Sequence, residues 1–265
     1  TELEMTTDNS IQFSALLQSA ITEPGIISKA YSAFHGYSLG NQIAAAFQCT
    51  ARNIELGPIA SFNAWKEKGR SVTKGQKAIS LCMPITCKGK EIDQSTGEEN
   101  SFSYNRFVWR NNWFVLDQTE GDEFTNEINI PQWDKTSCLR ALGITEGKFK
   151  YPDGNTQGYA SGKVIAVSPV AEYPHKTRFH EIAHVVLGHT TEHTLTDTPN
   201  TPRDIREVEA ESVAFILCSL LDLPGRDESR GYIQAWLHGQ TIQEKSAHKI
   251  FSAADKILKS GTITE

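Results

Sequence analysis

Long hydrophobic runs are missing from this chain, and cysteine is scarce. No run approaches the roughly 18 apolar residues that cross a bilayer, so we expect no membrane partner. The five cysteines are odd in number and form no Cys-x-x-Cys pair, which argues against a disulfide framework and a zinc knuckle. Pairing of Cys82 with Cys87 across a hairpin is the alternative. The first ten residues are acidic and polar, unlike a secretory signal, so we expect a cytoplasmic protein.

Charge is distributed unevenly along the 265 residues. Residues 25–110 contain eleven Lys and Arg against six Asp and Glu, a net charge of +5. Residues 111–265 contain fifteen against twenty-two, a net charge of −7. A chain of this length can bury one large core or two modest ones. The change of sign favours two domains with different partners.

The clearest chemical motif is the His-Glu-x-x-His sequence from His180 to His184. On a helix the two histidines lie one turn apart on the same face, where both can bind one Zn²⁺. Glu181 projects beside them and can act on a water at the metal. Two surface histidines on an ordinary helix are the alternative. The helix itself is indicated by apolar residues at amphipathic spacing, namely Phe179, Ile182, Ala183, Val186 and Leu187.

A third ligand is expected from the next helix, which begins near residue 204 and leads into an apolar run. A catalytic zinc has three protein ligands and one open position. Glu207 and Glu211 lie one turn apart, and we assign Glu207 as ligand and Glu211 as acceptor of a histidine N–H, with the reverse as the alternative. Glu209 points to the opposite side and is interpreted as an acid that favours the helix N-terminus. His189 departs from the helical phase of the histidine pair and is a weaker ligand candidate.

Such a site predicts hydrolysis of a peptide bond. Glu181 would take a proton from the attacking water and pass it to the leaving amine. Residues 159–169 are predicted to form a strand that borders the cleft and holds an extended peptide by strand addition. A hydrogen-bond donor to the oxyanion is expected from one of four side chains: Tyr173, Tyr232, His238 or His248.

The first half contains basic residues interleaved with aromatic ones. Residues 65–90 hold seven Lys and Arg against a single acid, Glu67. Cations that neutralise phosphates and rings that stack on unpaired bases are what a single-stranded nucleic-acid surface needs. The alternative is that the rings are core and the lysines form a solvated face. The candidate contacts are Tyr31, Tyr37, Asn41, Trp65, Lys66, Lys68, Arg70, Lys74 and Lys77.

The same half is predicted to contain short strands as well as helices. Residues 78–83, 102–107 and 113–116 have strand character, and residues 88–100 are expected to form a polar turn. Apolar residues near positions 11–17 and 43–47 indicate helices.

Longer strings link both halves to one family. In the first half they are Tyr37-x-x-x-Asn41, Phe62-x-x-Trp65, Gly69-x-x-Val72-x-Lys74-Gly75-Gln76-Lys77 and Phe114-x-x-x-Gln118-Thr119-x-Gly121. In the second half they are His180-Glu181-x-x-His184-x-x-x-Gly188-His189 and Glu207-x-x-Ala210-Glu211. With these strings the chain resembles the ArdC-type antirestriction proteins of conjugative plasmids along nearly its whole length. It departs from them at Gly75-Gln76-Lys77, where Gly-Glu-Lys is common, and in its shorter N-terminal leader.

The resemblance implies an α+β protein with two domains. Residues 1–125 would form a mixed α/β single-stranded-DNA-binding domain, and residues 126–265 a zincin-like (gluzincin-type) metallopeptidase domain. It implies sequence-independent binding of single-stranded DNA, protection of incoming plasmid DNA from host restriction, and an unidentified protein or peptide substrate. Zn²⁺ suits two histidines and a carboxylate, and Mn²⁺ or another divalent ion can occupy such a site.

Two other functions are compatible with the sequence. One is an intracellular regulatory metalloprotease that cleaves a repressor or toxin without binding DNA. The other is a DNA-binding protein whose zincin-like domain is a structural relic.

Overall fold

Helices and strands are mixed along the chain, in agreement with the predicted class. The computed structural model describes residues 11–92, 99–124, 130, 132–150, 156–190, 202–237 and 241–263. The helices are α1 (Phe13–Thr22), α2 (Ile26–Phe34), α3 (Leu39–Ala51), α4 (Phe62–Glu67), α5 (Lys135–Leu142), α6 (Pro174–Val186), α7 (Arg203–Leu220), α8 (Arg226–Leu237) and α9 (Glu244–Gly261). The strands are β1 (Ile59–Ser61), β2 (Arg70–Val72), β3 (Ile79–Ile92), β4 (Glu99–Val115), β5 (Thr119–Gly121), β6 (Thr145–Glu146), β7 (Gly158–Ser161) and β8 (Val164–Val167).

Contacts within the chain separate it into two units. The first comprises residues 1–11 and 44–126, and the second comprises residues 12–43 and 127–265. The predicted boundary after residue 125 is next to this division, but residues 12–43 do not group with the first unit. The reason is that α1 and α2 are short amphipathic helices, which need an apolar partner to be stable. α9 provides that partner for α1, and α7 provides it for α2.

The first unit is built on a long antiparallel hairpin of β3 and β4, with β1 on the other side of β4. A separate two-stranded sheet pairs β2 with β5. The predicted polar turn at 88–100 is too long, because β3 continues to Ile92 and β4 begins at Glu99, while residues 93–98 lie outside the described residues. The two returning strands predicted at 102–107 and 113–116 are one strand. Much of this hairpin is exposed on both faces, so its sequence has no clear apolar alternation to mark its length.

Cys82 and Cys87 do not form a disulfide. Both lie on β3, where five residues of extended chain separate them by about 17 Å. The Cα atoms of a disulfide lie within about 7 Å. None of the five cysteines, all of which lie in the described ranges, forms a disulfide.

The second unit is organised around α7. Thirteen consecutive residues of this helix, Val208–Leu220, are buried. Contacts with α2, α6, α8 and α9 cover it from several sides, which explains the apolar run in its sequence. Within the described ranges, no helix is both long enough and apolar enough to cross a membrane.

A three-stranded sheet in the order β6-β8-β7 completes this unit. β6 runs parallel to β8, and β7 runs antiparallel to it. The single strand predicted at 159–169 is therefore wrong, because the chain reverses at Gly162 and Lys163 to form a hairpin. β7 is an edge strand of this sheet.

Candidate metal centre

Helix α6 holds the His-Glu-x-x-His motif in a fixed orientation. Pro174 occupies its first turn, where a missing N–H costs nothing. Phe179 and Ile182 are buried, and the Phe179 ring packs edge-on against Trp133 at 5.1 Å between ring centroids. Anchoring this apolar face leaves His180 and His184 side by side on the adjacent face, with ring centroids 4.7 Å apart.

Three side-chain atoms from α6 and α7 converge on one point. The Nε2 atoms of His180 and His184 are 3.0 Å apart. The Oε2 atom of Glu207 lies 3.3 Å from the first and 3.6 Å from the second. Ligand atoms about 2.05 Å from a tetrahedral zinc ion are separated by about 3.3 Å. The spacing of the three atoms therefore fits one shared divalent ion.

Glu211 fixes the ring of His180 from behind. Its Oε2 lies 2.8 Å from His180 Nδ1, and its Oε1 lies 2.8 Å from Lys176 Nζ. Burial alone would raise the pKa of Glu211, but His180 and Lys176 outweigh it and lower that pKa to about 2. The ionised carboxylate can only accept, so the hydrogen of a neutral His180 is on Nδ1. Sequence reasoning missed Lys176, although its position one turn before His180 was a usable signal.

His184 has a different support, which consists of His189 and Glu209. His184 Nδ1 lies 3.0 Å from His189 Nδ1, and His189 Nε2 lies 3.0 Å from Glu209 Oε2. Gly188 has a φ of +81°, which glycine adopts at little cost, and it turns the chain so that His189 faces back to α6. The interpretation of Glu209 as a helix N-terminal acid is wrong, because this residue is only 1% exposed. α7 is covered around its circumference, so a carboxylate opposite Glu207 is buried too.

These hydrogen bonds determine which ring nitrogen carries the lone pair in His180 and in His184. Glu209 accepts from His189 Nε2–H, which leaves His189 Nδ1 as an acceptor for His184 Nδ1–H. In the neutral rings both Nε2 lone pairs then face the same point, together with the Glu207 carboxylate. Three electron-rich atoms at 3.0–3.6 Å repel one another unless a cation lies between them. The donor set therefore fits a divalent metal ion.

The pKa values of His180, His184 and Glu207 also indicate that a positive charge is favoured at this point. The neighbouring imidazoles of His180 and His184 hold the pKa of Glu207 far below its usual range. Burial lowers the pKa of His184. Burial also acts to lower the pKa of His180, but Glu207 and Glu211 outweigh it and raise that pKa to about 9. In the absence of a metal, a proton on His180 provides the positive charge.

Glu181 is buried beside this point, in a cavity of about 680 Å³. Burial is the main reason that its pKa rises to about 7. Gly158 of β7 lies directly against it, since a Cβ at Gly158 would be 2.8 Å from Glu181 Oε1 and 2.7 Å from Thr177 Cγ2. Only glycine lets the strand approach the carboxylate this closely. No pattern in the sequence pointed to Gly158.

Residues 156–160 form one side of the cavity, so the edge strand β7 borders it as expected for the predicted strand. None of the three candidate oxyanion donors among the described residues lines this cavity. Tyr173 donates from its hydroxyl to Glu228 at 2.8 Å, and the ring of His248 packs against Phe13 in another part of the unit. Tyr232 is 48% exposed and does not line the cavity. His238 lies outside the described residues.

Two of the predicted nucleic-acid contacts, Trp65 and Tyr31, are wrong because their side chains are buried. Trp65 is 1% exposed, and its indole N–H donates to the Phe114 carbonyl at 2.7 Å. Tyr31 is 6% exposed within α2. Both rings are core residues and cannot stack on a base, because amphipathic spacing and base-stacking patterns look alike in a sequence. Tyr37 and Asn41 are half-buried and belong, like Tyr31, to the second unit.

The basic candidates differ in whether their charged groups contact other residues of the protein or are exposed to solvent. The guanidinium of Arg70 donates to Thr119 and to the Asp122 carbonyl. The ammonium of Lys68 lies 5.5 Å from the centroid of the Phe124 ring. Arg70 and Lys68 therefore have structural partners. The remaining three, Lys66, Lys74 and Lys77, are exposed.

Comparisons with known proteins agree with the resemblance in the sequence. Residues 18–114 match the family model of the N-terminal domain of the anti-restriction factor ArdC. The metal-free crystal structure of the antirestriction protein ArdC from plasmid R388 is 20% identical, with a TM-score of 0.54 over 94% of each chain. Its Mn(II)-bound crystal structure is 18% identical, with a TM-score of 0.54 over 96% of this chain and 99% of that one. No curated protein sequence matches. The predicted resemblance is confirmed: residues 18–114 carry an ArdC N-terminal domain, and the chain has the fold of these ArdC structures along its length.

Proposed function

We propose that this chain is an antirestriction protein that combines a zincin-like metallopeptidase centre with binding of single-stranded DNA. The proposal of a metallopeptidase centre is supported by the convergence of His180, His184 and Glu207 on one point, with Glu181 buried beside it. Two histidines and a glutamate are the ligand set of gluzincin-type enzymes. Zn²⁺ is the favoured ion, and Mn²⁺ is the second candidate because the R388 protein was crystallised with Mn(II).

The chemistry divides between the bound ion and Glu181. A divalent ion held by the three ligands would polarise the scissile carbonyl and the attacking water. The Glu181 carboxylate is buried beside the three ligands, so it can accept the water proton and return it to the leaving amine. Glu211 and His189 keep the two histidine rings in the tautomer that binds metal.

The peptide substrate would lie along β7. As an edge strand beside the cavity, β7 can pair with an extended chain through main-chain hydrogen bonds. Such pairing reads backbone and not side chains, which fits cleavage of an exposed loop or unfolded segment.

A plasmid-transfer experiment tests the peptidase without knowledge of its substrate. Transfer into restricting and non-restricting recipients would be compared for the parent and Glu181→Gln. We expect Glu181→Gln to retain the metal and lose protection, because a carboxamide cannot take the proton. Glu123→Gln, an exposed Glu-to-Gln change in the first unit, is the matched control and should protect like the parent. Full protection by Glu181→Gln would instead favour a DNA-binding protein with a relic peptidase fold.

Strand binding is tested separately by a salt series. Affinity for a single-stranded oligonucleotide should fall linearly on a log–log scale, with a slope near −0.7 for each phosphate neutralised. No measurable binding at low salt would remove this half of the proposal. A regulatory protease that does not bind DNA would then be the better description.

A further inference from the structure

β3 and β4 form an extended ribbon beyond the short segment where β1 joins them. We define the β3–β4 ribbon as residues 80–92 and 99–111, which pair from Ser80–Asn111 to Ile92–Glu99. Among the described strands, these residues pair only with each other. Every β4 residue from Ser101 to Phe107 is exposed, so both faces of the ribbon meet solvent there.

A ribbon in solvent is normally polar, but this one displays three aromatic side chains. Phe102 is 48% exposed, Tyr104 is 49% exposed and Phe107 is 54% exposed. Large apolar side chains clustered on a surface favour aggregation unless they serve binding. Their exposure therefore indicates a contact surface.

One face of the ribbon combines these rings with arginine. Alternate residues of a strand share a face, which places Phe102, Tyr104, Arg106 and Arg110 together. The Phe102 and Tyr104 rings are 5.9 Å apart between centroids and tilted by 37°. Phe102 lies over its cross-strand neighbour Gly89, where a Cβ would be 2.5 Å from the ring. Glycine at this position leaves the ring room to lie against the ribbon.

The charge along most of the two strands suits a polyanion. Residues 79–90 and 101–115 contain no Asp or Glu, and their four cations are Lys88, Lys90, Arg106 and Arg110. The ten residues between these segments in the sequence, 91–100, contain four acids. The two segments themselves have a net charge of +4, which favours contact with the phosphates of a nucleic acid.

We propose that the Phe102–Tyr104–Arg106–Arg110 face of the ribbon is a single-stranded-DNA contact surface. This inference rests on the proposed strand binding and names a place for it that the sequence did not suggest. The two rings stack on unpaired bases, and the two guanidinium groups bind phosphates. Duplex DNA gains less here, because its bases are already stacked on one another.

The test uses the full chain and a labelled oligothymidylate longer than the roughly 4–16 nucleotides that one such surface covers. The double variant Phe102→Ala/Tyr104→Ala should bind at least tenfold more weakly, with an unchanged salt slope because the charge is the same. Arg106→Gln/Arg110→Gln should weaken binding and also make the slope shallower by about 0.7 for each phosphate that is no longer neutralised. Tyr104→Phe should bind like the parent, because stacking needs the ring and not the hydroxyl.

Phe62→Ala is the matched control. Phe62 is 49% exposed in the same unit but lies on α4, so its removal should leave strand binding unchanged. Equal weakening by Phe62→Ala, or an equal loss of duplex binding in the double variant, would overturn the ribbon assignment. Parent-like binding by the double variant, with weaker binding in Lys66→Gln/Lys74→Gln/Lys77→Gln, would overturn it while leaving the proposed strand binding intact. Failure of the parent itself to bind would count against the proposed function.

Discussion

Glu209 and Glu211 are two residues apart on α7, yet their carboxylates support different histidines of the site. Glu211 contacts His180 directly, whereas Glu209 reaches His184 through His189. A buried carboxylate costs several kcal/mol unless it is paired, so each of these acids needs its histidine as much as the histidine needs it. The two arrangements give the same result, which is a hydrogen on Nδ1 and a lone pair on Nε2.

Glu209→Gln should lower the affinity for Zn²⁺ about tenfold and leave the fold intact. The amide has the same shape, but it is a weaker acceptor and makes the histidines less basic; removal of such an outer partner typically costs 10–100-fold. Competition with a chelator of known affinity measures the effect. Glu211→Gln should show a comparable decrease, and Glu123→Gln should show none. Unchanged affinity in Glu209→Gln would mean that His189 needs no carboxylate to hold His184.

Glu181→Gln should stabilise the metal-free protein at alkaline pH. The folded pKa of Glu181 is about 7, whereas an unfolded Glu titrates near 4.3. A raised carboxyl pKa contributes stability that is complete below about pH 4.3 and lost as the pH rises through 7. Removing the charge should therefore raise the free energy of unfolding by roughly 3–4 kcal/mol at about pH 8, and by only about 1 kcal/mol at about pH 5.

Urea denaturation in the presence of EDTA at both pH values checks this. Glu207 and Glu211 have lowered pKa values, so their contribution is lost only as the pH falls below about 4.3 and does not affect the comparison. A gain of equal size at both pH values would point to packing and not to the Glu181 charge.

At the scale of elements, the approach of β7 to α6 is the tightest structural requirement of the site. Gly158→Ala would place a methyl group against Glu181, Thr177 and the Ala166 carbonyl, which is 3.1 Å from the added Cβ. β7 would have to shift, so we expect protection against restriction to fall sharply. Metal affinity should stay within a few-fold, since all three ligands lie on α6 and α7.

Gly231→Ala on α8 is the matched control, because a Cβ there meets nothing within 4 Å. It should leave function unchanged and raise stability by up to about 1 kcal/mol, as expected for alanine in a helix. Loss of metal affinity in Gly158→Ala would show that the strand supports the ligands as well as the base.

Helical periodicity explains which parts of the site were predictable from the sequence. The pairs His180–His184 and Glu207–Glu211 each repeat at one turn, so their shared faces follow from spacing. Glu209 was missed because the rule of opposite faces assumes that one face of a helix is exposed, and α7 has no such face over Val208–Leu220. The contact of His189 with His184 was not predicted, for a similar reason. It follows Gly188, so its direction is set by a turn and not by helical phase.

Strands and the location of aromatic residues were harder to predict from the sequence. The β7–β8 hairpin looks like one strand in the sequence because a two-residue reversal leaves little trace in the pattern. Trp65 and Phe102 illustrate the difficulty with rings: the first is core and the second is exposed, although both are aromatic residues of the first half of the sequence. Only the three-dimensional contacts separate these cases.

For the whole molecule, the thermal stability of the second unit should depend on metal. A ligand at 100 times its Kd adds about 2.7 kcal/mol to the free energy of unfolding. For a unit of this size that corresponds to a rise in Tm of roughly 5–10 °C. Calorimetry with and without Zn²⁺ or Mn²⁺ would measure it. Glu123→Gln should show the full shift and His180→Ala none, and a shift retained in His180→Ala would contradict the ligand assignment.

The proton held on His180 in the metal-free state has a consequence for how the site is loaded. With a pKa of about 9, this ring carries its proton at neutral pH, and an incoming ion must displace it. Loading then releases about one hydrogen ion into solution, so the apparent affinity for metal should increase with pH up to about 9. Acidification works in the opposite direction and expels the ion. The centre would thus exchange one kind of cation for another, and ambient acidity would help to decide whether the proposed peptidase holds its metal ion.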